Sequence, residues 1–78
     1  MREYSYMITL EGKRGVEYCH DDIKFYKRKG TISEAKRIFK KFVKITGLDI
    51  GELVTFNENC SVRSVYKFNG EKFLKDDY

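Results

Sequence analysis

Apolar and polar side chains alternate at the start of the chain, and this pattern predicts a β-strand. The apolar side chains on every second position are Tyr4, Tyr6, Ile8 and Leu10. A period of two is that of a strand with one buried face. Residues 11–15 follow with two glycines, which tolerate positive φ, so the chain is expected to reverse there in a hairpin loop.

The next stretch, residues 16–29, is rich in β-forming residues but interrupted by a polar segment. The interruption is Cys19-His20-Asp21-Asp22, where the two aspartates favour a turn or a bulge. Either one kinked strand or two short strands fit this pattern.

Helical periodicity replaces the alternation after Gly30. The apolar side chains at spacings of three and four are Ala35, Ile38, Phe39, Phe42 and Val43. Thr31 and Glu34 have the spacing of a capping box, in which each side chain bonds the other residue's backbone amide. Gly47 suits a left-handed C′ position and Leu48 the apolar contact that follows it. These signals predict a helix from about Ile32 to Thr46.

Strand signals return in the last third of the chain. Residues 49–51 read as a connector, residues 53–56 as a strand and residues 57–59 as a turn. Residues 62–68 and 71–74 flank Asn69-Gly70, which predicts a two-residue hairpin with Phe68 opposite Glu71 and Tyr66 opposite Phe73. Tyr66, Phe68 and Phe73 then share one face, and Val65, Lys67, Lys72 and Leu74 share the other. The last three residues are expected to fray.

The predicted fold is therefore α+β, a small antiparallel sheet of four to five strands with one amphipathic helix packed across it, in the order β-β-α-β-β-β. With 78 residues and 41% hydrophobic content, residues 1–78 are expected to form a single ordered domain. No apolar run has transmembrane length and the N-terminus does not resemble an export signal, which predicts a cytoplasmic protein that does not bind membranes. Cys19 and Cys60 are then expected to be free thiols.

Charge is distributed unevenly along the chain. The net charge is +4, but residues 24–44 hold nine basic residues and one acidic residue, a balance of +8. The rest holds seven basic and eleven acidic residues, a balance of −4. A basic segment of this kind indicates a polyanionic or acidic partner.

Most of these basic residues fall on the predicted helix, on the side opposite its apolar face. Like charges at four-residue spacing cost a few tenths of a kcal/mol per pair, and ordinary surface helices place Glu among them. The alternative is a solvated outer face, with the cations near the C-terminus favoured by the helix dipole. The predicted partner-binding residues are Lys27, Arg28, Lys29, Lys36, Arg37, Lys40, Lys41 and Lys44.

Aromatic residues make up 15% of the chain. Most are expected to fill the core of so small a domain. Rings on a sheet can also stack on the bases of a single strand, and Tyr26 and Tyr66 are the candidates for that role. Tyr4, Tyr6 and Tyr26 are expected to be partly exposed.

The sequence has few candidates for metal ligands or catalytic groups. Adjacent ligand types at residues 19–22 do not converge on a metal ion, and the chain has one His and no second ligand pair, so no metal or cofactor is predicted. No nucleophile has a neighbouring base held by a third group, so no catalytic residue is assigned and an enzyme is not expected.

Three functional hypotheses follow. The first is a small non-enzymatic module that docks its basic helix on nucleic-acid phosphate or an acidic surface. The alternative is a phage- or mobile-element-type accessory protein, acting in the host cytoplasm if phage-encoded, that inhibits a host nucleic-acid-processing enzyme by protein–protein binding. The third is a homodimer formed through a sheet edge.

Overall fold

Five strands and one helix make up the computed structural model, which describes residues 2–13, 15 and 22–76. The elements are β1 (Tyr4–Gly12), β2 (Ile23–Gly30), α1 (Ile32–Thr46), β3 (Ile50–Phe56), β4 (Val62–Asn69) and β5 (Phe73–Asp76). The strands form one antiparallel sheet in the order β2-β1-β3-β4-β5, and α1 packs on one face of it. The predicted α+β class and element order are confirmed. None of the described helices has the length and apolar content needed to cross a membrane.

The helix begins and ends where the sequence predicts. Thr31 accepts a hydrogen bond on its Oγ1 from the Glu34 backbone amide, at 3.1 Å. At the other end, Gly47 has a φ of 77° and donates its backbone N–H to the Val43 carbonyl. Only half of the predicted capping box forms, because the Glu34 carboxylate bonds Tyr6 and Lys27 instead.

The core lies between α1 and the sheet. Its fully buried members are Tyr6, Ile8, Leu10, Ala35, Phe39 and Leu53, with Leu48 and Phe68 nearly so. The Phe39 ring lies 5.1 Å from the Phe68 ring and 4.9 Å from the Phe73 ring, measured between centroids. The expected exposure is confirmed for Tyr4, which is partly buried, and for Tyr26, but it is wrong for Tyr6. Tyr6 shares the helix-facing side of β1 with Ile8, and its hydroxyl has a partner there.

The register of the last hairpin differs from the prediction by two residues. Phe68 pairs with Phe73 and Tyr66 with Lys75, so four residues rather than two lie between the last paired positions. The Asn69 side chain causes this difference, since its Oδ1 accepts hydrogen bonds from the backbone amides of both Glu71 and Lys72. A shift of two preserves side-chain direction, so the predicted faces of the paired residues are correct.

One other boundary was predicted wrongly. β3 begins at Ile50 rather than at Leu53, because Ile50 already pairs with Gly12 and Asn69 on its two neighbouring strands. β5 extends to Asp76. The predicted strand start and polar interruption at residues 16–21, and the last two residues, lie outside the described part of the chain.

Candidate nucleic-acid interface

The outward side of α1 is basic. Arg37, Lys40, Lys41 and Lys44 are exposed, whereas Ala35 and Phe39 on the opposite side are fully buried. Lys36 is partly buried at the flank of the same surface. Because an α-helix rises 1.5 Å per residue, the row formed by Lys36, Lys40 and Lys44 has a spacing of about 6 Å. We call Lys36, Arg37, Lys40, Lys41 and Lys44 the basic face.

No carboxylate in the described part of the chain forms a salt bridge with this surface, although the charge of Arg37 helps to lower the pKa of Glu34. The described salt bridges join Lys27 to Glu34 and Lys67 to Asp76. Among the described residues, no carboxylate lies within 4.0 Å of a charged group of the basic face. Five positive charges therefore lie on one side of a helix without a salt bridge to a described carboxylate, an arrangement that repulsion at four-residue spacing disfavours.

An aromatic ring anchors one member of the basic face. The Lys36 Nζ lies over the Tyr66 ring, 4.8 Å from its centroid, and 5.6 Å from the centroid of Phe73. A cation over a ring gains about 0.5–1 kcal/mol at an exposed site. Tyr66, one of the two predicted stacking residues, is therefore brought against the basic face, where Lys36 covers part of its ring.

Lys75 extends the basic surface and was missed by sequence reasoning. It pairs with Tyr66 across β4 and β5, and cross-strand partners point to the same side of a sheet. Its exposed side chain is therefore on the side of the sheet that carries α1. The predicted register placed Phe73, rather than Lys75, opposite Tyr66. The tendency of an Asn side chain to bond the amides that follow it was the signal that could have corrected the register.

Lys27 is predicted as part of the site but lies in an ion pair. Its Nζ donates to Glu34 Oε1 at 2.9 Å, while the Tyr6 hydroxyl donates to Oε2 at 3.0 Å. The hydrogen bonds from Lys27 and then Tyr6 hold the pKa of Glu34 below its usual 4.5. Burial, together with the bond to Glu34, raises the pKa of Tyr6 to about 12. The charge of Lys27 is therefore compensated within the fold.

The other predicted residues are separated from the basic face. Arg28 and Lys29 are exposed next to an irregularity in the pairing of β1 with β2, and they line a cleft of about 550 Å³ at the end of the sheet. Arg2 lines the same cleft, but so do Glu3 and Glu58. Tyr26, the other predicted stacking residue, pairs with Met7 and lies on the face of the sheet without the helix. The structure thus brings together the five helix cations and Tyr66. The other four predicted residues, Tyr26, Lys27, Arg28 and Lys29, are not part of this surface.

The prediction that residues 19–22 bind no metal ion concerns a segment that lies mostly outside the described chain. Cys19, His20 and Asp21 lie outside the described residues. Within the described ranges, no three His, Cys, Asp or Glu side chains are close enough together to hold a metal ion. Cys60 is an exposed free thiol.

Comparison with known proteins adds no further constraint. No family model matches the chain, and no curated protein and no solved structure matches it either. Its function is therefore inferred from the charges and contacts of its own side chains.

Proposed function

We propose that this protein is a non-enzymatic cytoplasmic module that docks its basic face on nucleic-acid phosphate with little sequence specificity. The observation that carries this proposal is the exposure of Arg37, Lys40, Lys41 and Lys44 on one side of α1 without a described carboxylate within 4.0 Å. Cations that contact phosphates release condensed counterions, which is the main driving force of non-specific binding. Phosphate contacts position a protein on nucleic acid but carry no sequence information.

The fold presents these cations on a rigid element. Thr31 and Gly47 cap both ends of α1, and the buried Phe39 ring fixes its middle against β4 and β5. The row from Lys36 to Lys44 spans about 12 Å, which is the axial length of three to four phosphates on one strand of a duplex. Little helix ordering is then required on binding, and a pre-organised surface loses less entropy.

The salt dependence of duplex binding tests the proposal. If the four exposed cations each neutralise one phosphate, the slope of log K against log salt is about −3.6 for a duplex. Affinity for a labelled mixed-sequence duplex, measured by fluorescence anisotropy, should then fall about 150-fold between 50 and 200 mM salt. The double variant Lys40→Glu, Lys44→Glu should reduce the slope to about −1.8 and abolish measurable binding at 200 mM salt.

A matched control separates the site from net charge. Lys13 and Lys24 are also exposed but lie off the helix, so Lys13→Glu, Lys24→Glu makes the same change in net charge elsewhere. This control should keep a slope near −3.6 with modestly reduced affinity. Equal losses in the two double variants would contradict a specific role for the basic face.

The same basic face fits the second hypothesis, in which the chain inhibits a host nucleic-acid-processing enzyme by binding an acidic protein surface. Charge complementarity supports both hypotheses, and the ligand distinguishes them. Absence of binding to duplex, single strand and heparin at low salt would refute the nucleic-acid proposal and favour the protein partner.

A further inference from the structure

The face of the sheet without the helix carries an apolar surface. Met7 pairs with Tyr26 on one side and Val54 on the other, and Val54 pairs with Val65, so these four side chains share that face. We call it the open face. Its apolar side chains are Met7, Tyr26, Val54, Phe56, Val62, Val65 and Leu74.

Strands β3 and β4 are apolar on both sides. In β3, Leu53 packs against the helix while the neighbouring Val54 points to the open face. In β4, Phe68 packs against the helix and Val65 points to the open face. An antiparallel sheet with one solvated face normally alternates apolar and polar residues, and strands that are apolar on both sides are typical of sheets covered on both sides. The open face therefore has the composition of a surface that another layer covers.

The open face is also shaped to receive apolar groups. Val54 and Val65 form a recessed floor, only 7% and 6% exposed, in a groove of about 400 Å³. At its margins, Tyr26 is 58% exposed and Leu74 is 48% exposed. One surface thus contains both a recess and two protruding apolar side chains, which is what a self-complementary interface requires.

Charge favours a second copy of the chain as the occupant of this face. Among the residues whose pairing places them on the open face, the charged ones are Lys24, Glu52, Lys67 and Asp76, two basic and two acidic. Lys67 and Asp76 already lie 3.6 Å apart. Two open faces therefore meet without a large excess of like charge, whereas a polyanion finds no basic surface there. The basic face, with five cations, would repel its own copy.

The sheet edges are less suitable for self-association. The β2 edge carries Lys24, Lys27, Arg28 and Lys29, and lysines at an edge oppose strand pairing. The β5 edge has only four residues.

We propose that two copies pack open face to open face about a two-fold axis. Tyr26 and Leu74 of each copy then lie over the Val54–Val65 groove of the other, with the sheets about 10 Å apart. Both basic faces remain on the outside of the dimer, because α1 lies on the opposite side of each sheet.

Sedimentation equilibrium of the purified chain tests this interface. The wild type should sediment at twice its monomer mass of 9.3 kDa, and Tyr26→Glu, Leu74→Glu should sediment at 9.3 kDa. Ile45→Glu is the matched control, because Ile45 is an apolar residue 69% exposed on α1, away from the open face. It should remain dimeric. A monomeric wild type at about 0.5 mM, or a Tyr26→Glu, Leu74→Glu variant that stays dimeric, would overturn the proposal.

A second measurement applies if the double variant does not fold. On dilution of the wild type, the methyl NMR signals of Met7, Val54 and Val65 should shift as the dimer dissociates, while those of Ala35 and Ile38 should not. Shifts confined to the helix methyls, or none at all, would refute the interface. Neither measurement includes nucleic acid, so the result is independent of the proposed function.

Discussion

Gly51 lies in the central strand β3, where a side chain has no room. It pairs with Leu10 on β1 and with Phe68 on β4. A Cβ atom added at Gly51 would lie far inside van der Waals contact with the Thr9 carbonyl oxygen and 3.0 Å from the Leu10 Cα. Both of these are backbone atoms, which cannot rotate away as a side chain can. The substitution Gly51→Ala must therefore push β1 and β3 apart.

The cost of this separation follows from the geometry. A displacement of about 1 Å stretches a ladder hydrogen bond from about 2.9 Å to a length at which it no longer contributes. Losing one or two such bonds costs about 0.5–1.5 kcal/mol each, and forcing atoms into a packed site costs about 1–3 kcal/mol. The expected total is about 1.5–6 kcal/mol. A 78-residue domain has an unfolding free energy of about 4–12 kcal/mol, so the loss is a large fraction of it.

Urea unfolding followed by circular dichroism measures this loss. At an m-value of about 1 kcal/mol/M, the midpoint of Gly51→Ala should fall by about 1.5 M or more. Gly12→Ala is the control, because the nearest atom to its added Cβ is the Ile50 Cβ at 3.3 Å. We expect that control to lose less than about 1 kcal/mol. Equal midpoints for Gly51→Ala and the wild type would refute the close approach of β1 to β3.

Four further predictions concern stability. The pKa of Glu34 is lower in the folded protein than in the unfolded chain, so ionised Glu34 stabilises the fold at higher pH. The free energy of unfolding should therefore decline as the pH falls through and below 4.5. Glu34→Gln should weaken that decline, as measured by urea titrations at several pH values. Because Tyr6 has its pKa raised to about 12, stability should also fall between pH 10 and about 12, and Tyr6→Phe should abolish this part of the pH dependence. Phe39→Ala should cost about 3–5 kcal/mol by calorimetry, and a cost below about 1 kcal/mol would mean that its ring is not packed in the core. Asn69→Ala should cost about 1 kcal/mol and increase amide exchange at residues 71 and 72; unchanged exchange would rule out its bonds to that loop.

Local signals predicted the helix and the faces of the strands. Thr31 and Gly47 mark the helix ends because their bonds reach only three or four residues along the chain. The exposed basic residues follow from helical periodicity for the same reason. The faces of the last hairpin were correct even though its register was wrong, since a shift of two residues changes the partner of Tyr66 and not its direction.

The errors arose where distant residues decide the structure. Tyr6 is buried because Glu34, 28 residues away, supplies a partner for its hydroxyl. The same carboxylate forms a salt bridge with Lys27 and compensates its charge. No local sequence pattern indicates this pairing. Gly51 resembles a connector residue in the sequence, but it lies in β3 at a point where β1 passes too close for a side chain. The strand order likewise depends on pairing between distant segments.

An NMR titration of the ¹⁵N-labelled chain with a short mixed-sequence duplex tests most directly whether the basic face contacts phosphate. The largest amide shift changes should map to residues 36–44, with smaller changes near Lys75. Amides of the open face, at residues 24, 54 and 65, should change little. Largest changes on the open face or in the cleft lined by Arg28 and Lys29 would contradict the assignment of the basic face, and no change at low salt would contradict nucleic-acid binding itself.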